Sequence, residues 1–343
     1  MNSMKKVLTG MRPTGRLHLG HYIGALRQWI PLQETHECYF LIADVQALTT
    51  HADDPKLIQD AVTQVTLDFL SVGLDPRRPN VHFVLQSGIA ELYELTVLLS
   101  MVTPYTWVAT NPTVRSELEH IGSGATVGFM SYPVSQSADI LFVGENPSDT
   151  ILVPVGEDQV AHLRLNNKIA AAFNRTYGPT FPMCEALVGD VGRLPGIAGD
   201  AKMSKSLDNG IDLSATPETV RKQVMRMFTD PKRVHANTPG TVEGNPVFIY
   251  HNAFNDRAEE VAELEARYRA GTVRDVEVKE LLIEALERFL GPIRQRRAEA
   301  EASPELVAYF LAAGTVRAHE LAQATVVRAR QAMGLTYPNL FKT

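Results

Sequence analysis

The chain reads Val7-Leu-Thr-Gly-Met-Arg-Pro-Thr-Gly-Arg-Leu-His-Leu-Gly-His-Tyr-Ile-Gly-Ala-Leu26 close to its start. Val7 and Leu8 predict a short buried strand, and the glycine- and proline-rich residues 10–15 predict a turn after it. Helical periodicity follows from about residue 22 to residue 30, where Pro31 is expected to end the helix because it has no backbone N–H to donate. A strand, a loop and a helix in this order form the repeating unit of a doubly wound parallel sheet.

The alternation of strands and helices continues through the first half of the chain. Further strands are predicted at residues 39–43, 81–85 and 151–155, with helices at residues 55–72 and 158–174. Beyond about residue 216 the β-rich runs stop, and helical periodicity appears at residues 217–228, 258–269, 276–300 and 315–333. We therefore predict an α/β fold, with a doubly wound, Rossmann-like catalytic domain over residues 1–210 and a mainly helical domain over residues 211–343.

The composition excludes several classes of protein. The 343 residues are 45% hydrophobic and 21% charged, which is enough apolar material for a folded core and excludes disordered and fibrous classes. The chain has no apolar run of the roughly 18 residues that a membrane span needs, and no long hydrophobic leader, so a cytoplasmic protein is expected. A net charge of −6 argues against a protein that coats nucleic acid, although a local basic patch can still bind RNA. Cys38 and Cys184 are too few for a cysteine-based zinc site.

The loop after the first predicted strand has the features of a phosphate site. A nucleotide bound to a doubly wound sheet sits outside the carboxyl ends of the strands, over the start of a helix. Gly10, Gly15 and Gly20 permit close backbone approach there. His18 and His21 can donate hydrogen bonds to phosphoryl oxygens. The pattern is neither the G-x-G-x-x-G fingerprint nor a P-loop, and histidines that only cap a helix would also produce it.

A second segment, Ala201-Lys-Met-Ser-Lys-Ser206, lies in a glycine-rich loop. Lysines on such a loop can close on the charge that builds up on a departing pyrophosphate and then open for release. A solvated basic loop is the alternative interpretation. The candidate catalytic residues of the two segments are His18, His21, Lys202 and Lys205.

Together the two segments resemble the HIGH and KMSKS signatures of class I aminoacyl-tRNA synthetases, in the same order and about 180 residues apart. Nearly the whole chain is similar to the bacterial tryptophanyl-tRNA synthetases of that class. The similarity rests on Arg12-Pro-Thr-Gly-Arg-Leu-His-Leu-Gly-His-Tyr-Ile-Gly-Ala-Leu26, Asn111-Pro-Thr-Val-Arg115, Ser131-Tyr-Pro-Val-Ser-Gln-Ser-Ala-Asp139, Val153-Pro-Val-Gly-Glu-Asp-Gln159 and Gly244-Asn-Pro-Val-Phe248.

The resemblance implies an ATP site. The residues it assigns to ATP are His18, Arg12, Pro13, Thr14, Gly20, His21, Gly156, Glu157, Asp158, Leu194, Lys202, Met203, Ser204, Lys205 and Ser206. Arg115 is a further candidate phosphate contact, and it stands where many relatives have lysine. Gln46 stands where many relatives have histidine.

The resemblance places the amino-acid pocket on the segment that carries Tyr132, Gln136 and Asp139. On a helix these three positions share one face, and a carboxylate at Asp139 can accept the indole N–H of tryptophan. The other residues assigned to the pocket are Val153, Val155 and Gln159. The same Tyr-x3-Gln-x2-Asp pattern is similar to the tyrosine pocket of the sister synthetase, so the pocket alone does not separate tryptophan from tyrosine.

The resemblance also implies a reaction and its partners. L-tryptophan would be activated with ATP, supplied as its Mg²⁺ complex, and transferred to tRNA(Trp) by a homodimer, with no tightly bound cofactor, no fixed metal site and no membrane. The helical third would read the anticodon, with candidate phosphate contacts at Arg294, Arg296, Arg297, Arg317, Arg328 and Arg330. The alternatives are a tyrosine–tRNA ligase, a small-molecule nucleotidyltransferase that shares the H-x-G-H site, and a non-catalytic RNA-binding paralogue.

Overall fold

The computed structural model describes residues 4–189, 194–199, 203, 209–230, 233, 235 and 237–337. Five parallel strands lie at its centre: β1 (Lys6–Met11), β2 (Glu37–Ile42), β3 (Val81–Leu85), β4 (Thr150–Val155) and β5 (Met183–Val188). Their order across the sheet is β3-β2-β1-β4-β5. The chain therefore winds outward from β1 to one edge and, after a crossover, from β4 to the other.

Helices cover both faces of this sheet. In the described residues they are α1 (Leu19–His21), α2 (Arg27–Leu32), α3 (Asp44–His51), α4 (Pro55–Val72), α5 (Glu91–Ser100), α6 (Tyr105–Ala109), α7 (Pro112–Ile121), α8 (Val127–Leu141), α9 (Val160–Tyr177), α10 (Pro217–Met225), α11 (Pro246–Phe254), α12 (Ala258–Arg269), α13 (Asp275–Glu301) and α14 (Pro304–Ala332). None of them has both the length and the apolar composition to cross a membrane. Neighbouring strand residues point to opposite faces, so Val7 and Leu8 enter two separate apolar cores. This confirms the predicted doubly wound α/β fold.

β1 and β4 separate toward their carboxyl ends. β1 pairs with β2 along its whole length, but with β4 only through Lys6 and Val7. Further along β4, Pro154 has no N–H for the ladder, and its carbonyl instead accepts a 3.0 Å hydrogen bond from the Thr9 hydroxyl. The gap that opens there lies where the strand order reverses, which is the place where ligands bind to sheets of this kind.

Several predicted boundaries agree with the structure. The strand at 81–85 and the helices at 55–72 and 258–269 have the predicted ends. The prediction that Pro31 ends the first helix is wrong, because that helix begins at Leu19, passes through a π-helical turn (Tyr22–Leu26) and ends at Leu32. A proline in the last turn removes only one helical hydrogen bond, so the helix tolerates it.

The last helix, α14, begins at Pro304 rather than at residue 315 and packs along β3. The Thr315 hydroxyl accepts a hydrogen bond from the Leu85 N–H at 3.0 Å, and a Cβ on Gly314 would lie 2.1 Å from the Phe83 carbonyl oxygen. α14 therefore covers the free edge of the outermost strand, which protects that edge from pairing with another chain. The domain boundary at residue 210 stays a prediction.

Candidate active site

The candidate site lies at the carboxyl ends of β1 and β4. Residues 12–18 follow β1 and residues 156–159 follow β4, so these two loops border the gap between the strands. In the first loop, Gly15 has a φ of 121°, a conformation that favours glycine. In the second, Gly156 is extended and leads into a 3-10 turn (Glu157–Gln159). The topology thus brings together two segments that lie far apart in the sequence.

His18 and His21 fix each other's backbone at the start of α1. The Gly20 N–H donates to His18 Nδ1 and the His18 N–H donates to His21 Nδ1, both at 3.1 Å. Because both Nδ1 atoms accept, the neutral rings carry their protons on Nε2. The capping and phosphate interpretations are therefore compatible, since one nitrogen of each ring holds the backbone and the other is a donor.

Met203 joins the two signature segments. Its Sδ lies 3.3 Å from the Gly20 nitrogen, and the side chain is buried. Further along, residues 211–213 run beside residues 17–19 through two backbone hydrogen bonds of 2.9 Å. The H-x-G-H segment is thus contacted both by Met203 and by residues 211–213. Lys202, Ser204, Lys205 and Ser206 lie outside the described residues.

The other residues assigned to ATP differ in exposure. Arg12 is exposed and Pro13 is buried, while the Thr14 N–H closes the turn by donating to the Arg12 carbonyl at 3.0 Å. Leu194 is buried in the same apolar core as Met203. The remaining positions are Glu157, which is exposed after β4, Arg115, which is exposed on α7, and Asp158, whose side chain lies outside the described part of the chain.

Asp139 is a buried carboxylate held by two amides. The Gln86 Nε2 lies 2.9 Å from each of its oxygens, and the Gln46 Nε2 donates to Oδ2 at 2.6 Å. Burial raises the pKa of Asp139 to about 7, and the two amide donors oppose that rise. These three contacts use three of the roughly four acceptor positions of a carboxylate, which leaves Oδ1 able to accept one more donor.

Tyr132 lies on the same helix, two turns before Asp139, and its hydroxyl is already engaged. It donates to Glu117 Oε2 at 2.6 Å and lies 3.2 Å from His162 Nε2. Burial and the neighbouring Glu117 carboxylate raise the pKa of Tyr132, while the positive charge of Arg12 opposes the rise. The Tyr132 ring therefore has a fixed position between α7 and α9, close to the loop that follows β1.

The remaining pocket positions follow the geometry of α8 and β4. Gln136 is half-buried on α8 between Tyr132 and Asp139. Val153 is buried in the core beneath α8, Val155 packs against its edge, and Gln159 is half-buried at the start of α9. Val153 of β4 is thus a core residue, and its predicted contact with the amino acid stays a prediction.

Sequence reasoning missed Gln86 and the partners of Tyr132. Gln86 directly follows β3, and a polar residue after a predicted strand is the signal that could have found it, since the carboxyl ends of parallel strands meet at one edge. Glu117 and His162 have no local signal, because they reach Tyr132 from two other helices.

The C-terminal arginines are engaged within the protein. Arg297 is only 4% exposed and pairs with Asp68 at 2.5 Å, so the prediction that it contacts a phosphate is wrong. Burial of a guanidinium requires such a partner, and the partner occupies its donors. The other five bond as follows: Arg294 to Glu287, Arg296 to the Ser71 carbonyl, Arg317 to Glu320, Arg328 to the Gly144 carbonyl and Arg330 to Glu94.

Residues 2–291 match the family model described as tRNA synthetases class I (W and Y). Two bacterial proteins named tryptophan–tRNA ligase are similar to the chain along nearly their whole length. The one from Chlamydia caviae is 43% identical, with 98% of this chain and 97% of its own length covered. The one from Treponema pallidum is 44% identical, with 97% and 98% covered.

Solved structures show the same similarity. A tryptophanyl-tRNA synthetase from Campylobacter jejuni, complexed with ADP and tryptophan, matches with a TM-score of 0.83 at 32% identity, covering 96% of this chain and 99% of that one. A second structure of the Campylobacter jejuni protein matches with a TM-score of 0.79, also at 32% identity, covering 97% and 100%.

Proposed function

The chain belongs to the class I tRNA synthetases for tryptophan and tyrosine, and on that premise we propose that it is a tryptophan–tRNA ligase. It activates L-tryptophan with ATP to give tryptophanyl-adenylate and pyrophosphate, and then esterifies tRNA(Trp). Membership of the family removes the nucleotidyltransferase alternative. The names of the full-length relatives favour tryptophan over tyrosine, a choice that the pocket residues alone leave open.

One observation carries the proposal. Met203 of the Lys-Met-Ser-Lys-Ser segment contacts Gly20 of the H-x-G-H segment, at the gap between β1 and β4. An adenylate-forming enzyme needs both segments at one triphosphate, because one orients the phosphates and the other neutralises the departing pyrophosphate. The contact meets this requirement, and burial of Met203 in the apolar core holds it in place.

The proposed reaction needs no covalent intermediate on the protein. The tryptophan carboxylate attacks the α-phosphorus of ATP in line, and pyrophosphate leaves with its electron pair. His18 and His21 would donate from Nε2 to phosphoryl oxygens, and Lys202 and Lys205 would close on the pyrophosphate. Mg²⁺ enters bound to ATP as part of the substrate, where it balances the triphosphate charge.

Asp139 is proposed as the acceptor for the indole N–H. Its free position on Oδ1 is the only one the two glutamines leave, so the donor-only indole nitrogen completes the shell of the carboxylate. Phenylalanine has no such donor and would leave a buried acceptor unpaired, which costs about 1–3 kcal/mol. Tyr132, Gln136, Val153, Val155 and Gln159 are proposed to line the rest of the pocket.

The finer features of the protein follow the same proposal. We infer a homodimer that acts in the cytoplasm, with residues 211–343 reading the anticodon. An exposed apolar stripe, made of Tyr93 and Val97 on α5 and of Met101 directly after it, supports the dimer. These residues are spaced four apart and therefore share one face of the helix.

ATP–pyrophosphate exchange with each of the twenty amino acids tests the proposal. We expect exchange with tryptophan, loss of exchange when EDTA removes Mg²⁺, and return of exchange when Mg²⁺ is added. Charging of transcribed tRNA(Trp) with labelled tryptophan tests the second step. Exchange with tyrosine alone would make the protein the sister ligase, and no exchange with any amino acid would refute adenylate formation.

A further inference from the structure

A buried carboxylate on α4 holds the residue that precedes His18. Asp68 is fully buried, and its Oδ2 accepts the Leu17 N–H at 2.7 Å. Its Oδ1 accepts from the Arg297 Nη1 at 2.5 Å. A carboxylate deep in the core is costly unless such partners satisfy it, so Leu17 and Arg297 together fix its position.

Arg297 is itself rigid. It reaches Asp68 from α13, and its other donors bind Gln64 Oε1 at 2.5 Å and Glu301 Oε1 at 2.8 Å. Burial raises the pKa of Asp68 to about 6, and the Arg297 charge opposes that rise and favours the ionised carboxylate. Because all three nitrogens of the guanidinium are hydrogen-bonded, it holds the Asp68 carboxylate in one orientation.

The backbone around Leu17 is held from the opposite side as well. The Leu17 carbonyl accepts from Leu213 N, and the Leu19 N–H donates to the Ile211 carbonyl, both at 2.9 Å. Residues 17–19 therefore lie between α4 on one side and the segment that follows the Lys-Met-Ser-Lys-Ser motif on the other. Asp68 supplies the side-chain contact that sets the orientation of the peptide leading into His18.

We propose that Asp68 is a positioning residue for adenylate formation, which acts through the Leu17 N–H on His18, and that Arg297 aims it. The inference rests on the proposed tryptophan activation. His18 must meet developing charge on the phosphates within a few tenths of an ångström, and a displacement of about 1 Å costs up to about 100-fold in rate. In the described part of the chain, Asp139 and its two glutamines share no hydrogen bond with this network, so we expect tryptophan binding to be independent of it.

Two double variants separate positioning from structure. Asp68→Leu with Arg297→Met removes both charges and leaves an apolar core, a change that folded proteins often tolerate. Asp68→Asn with Arg297→Met also removes both charges but keeps an acceptor oxygen for the Leu17 N–H. We expect kcat for tryptophan-dependent exchange to be at least about tenfold lower in the Leu/Met variant than in the Asn/Met variant, with the same tryptophan KM.

Hydrogen exchange of the peptide covering residues 12–21 gives a readout independent of activity. We expect faster exchange there in the Leu/Met variant than in the Asn/Met variant. The matched control, Asp256→Leu with Arg288→Met, removes a 3.0 Å surface ion pair between α13 and the turn before α12, and it should keep kcat within about twofold of the wild type. If the two test variants have equal kcat and equal hydrogen exchange at residues 12–21, the proposal is overturned.

Arg297→Lys keeps the test decisive if the Leu/Met variant does not fold. Lysine retains a charge beside Asp68 but cannot also hold Gln64 and Glu301, so we expect kcat to fall about threefold with tryptophan KM unchanged. An unchanged kcat overturns the role of Arg297. If the wild-type protein shows no ATP–pyrophosphate exchange with any amino acid, the proposed function is refuted instead. Hydrogen exchange at residues 12–21 then tests only the contact between Asp68 and the Leu17 N–H.

Discussion

At the scale of single residues, we expect the raised pKa of Asp139, the proposed acceptor of the indole N–H, to make tryptophan binding depend on pH. Its pKa is about 7 because it is buried, and the indole N–H bonds more strongly to the ionised carboxylate than to the acid. As the pH falls below 7, the protonated fraction grows and the binding form is depleted. We expect the tryptophan KM in pyrophosphate exchange to rise about tenfold between about pH 8 and pH 6.

Asp139→Asn is the control for this pH profile. It cannot ionise, so its tryptophan KM should be higher than that of the wild type at neutral pH and flat across the range. Asp68 ionises in the same pH range, with a pKa of about 6. Under our inference, its ionisation affects kcat and not the tryptophan KM. A wild-type KM that does not change between pH 6 and pH 8 would show that Asp139 does not meet the indole.

Gln86 keeps the Asp139 carboxylate ionised, and its removal should move the same titration. Gln86→Leu takes away a donor to both oxygens and leaves Gln46 alone on Oδ2. We expect the midpoint of the tryptophan KM profile to move to higher pH, and the free energy of unfolding in urea to fall by about 1–3 kcal/mol. Gln59→Leu, at an exposed position of α4, should change neither quantity. An unmoved midpoint would contradict the role assigned to Gln86.

The sequence predicts some of these residues and not others for a physical reason. His18, Gly20 and Met203 stand in short local patterns whose chemistry is visible in the chain itself. Gln86 and Asp68 act through partners on other strands and helices, at sequence separations of 53 and 51 residues from Asp139 and Leu17. Such pairs are set by the packing of the folded chain, which no local pattern contains.

At the scale of elements, local caps explain why the sequence predicts both ends of α4. α4 begins after Asp54, whose side chain accepts the Leu57 N–H at 3.0 Å, and it ends at Gly73 in the left-handed conformation. Both signals are local, and the predicted helix has the observed ends. β5 has no comparable signal, because it is an edge strand with exposed Met183 and Glu185, and the sequence did not predict it.

Gly314 determines how closely α14 approaches the sheet. A Cβ at this position would lie 2.1 Å from the Phe83 carbonyl oxygen, which belongs to the backbone of β3 and cannot move aside. We expect Gly314→Ala to lower the free energy of unfolding by about 1–3 kcal/mol or more, measured by urea denaturation. Gly291→Ala is the control, because nothing lies within 4 Å of a Cβ there. Because Pro292 crowds a Cβ on the residue before it, the gain in helix propensity is offset, and Gly291→Ala should change the free energy of unfolding by less than about 1 kcal/mol. Equal effects at the two glycines would contradict the close packing of α14.

At the scale of the whole molecule, the exposed apolar side chains are not evenly distributed over the surface. Most of the large apolar side chains are buried in the two cores, but Tyr93 and Val97 of α5, and Met101 directly after it, are 43%, 54% and 65% exposed along one face. A stripe of this kind marks an interaction surface when single exposed residues would not. A second copy of the chain is the partner we propose.

A charge in the middle of this stripe should separate the two copies. A two-fold interface contains each substituted residue twice, so Val97→Glu would bury two carboxylates without partners and weaken association by at least about 100-fold. We expect sedimentation velocity to show a dimer for the wild type and a monomer for Val97→Glu at micromolar concentration. Val276→Glu, at an equally exposed valine on α13, should remain dimeric. A dimeric Val97→Glu would place the interface elsewhere on the molecule, and a monomeric wild type would refute the dimer. Because Asp139, the proposed indole acceptor, lies on α8, which packs against α5, loss of the dimer should also raise the tryptophan KM in the same preparation.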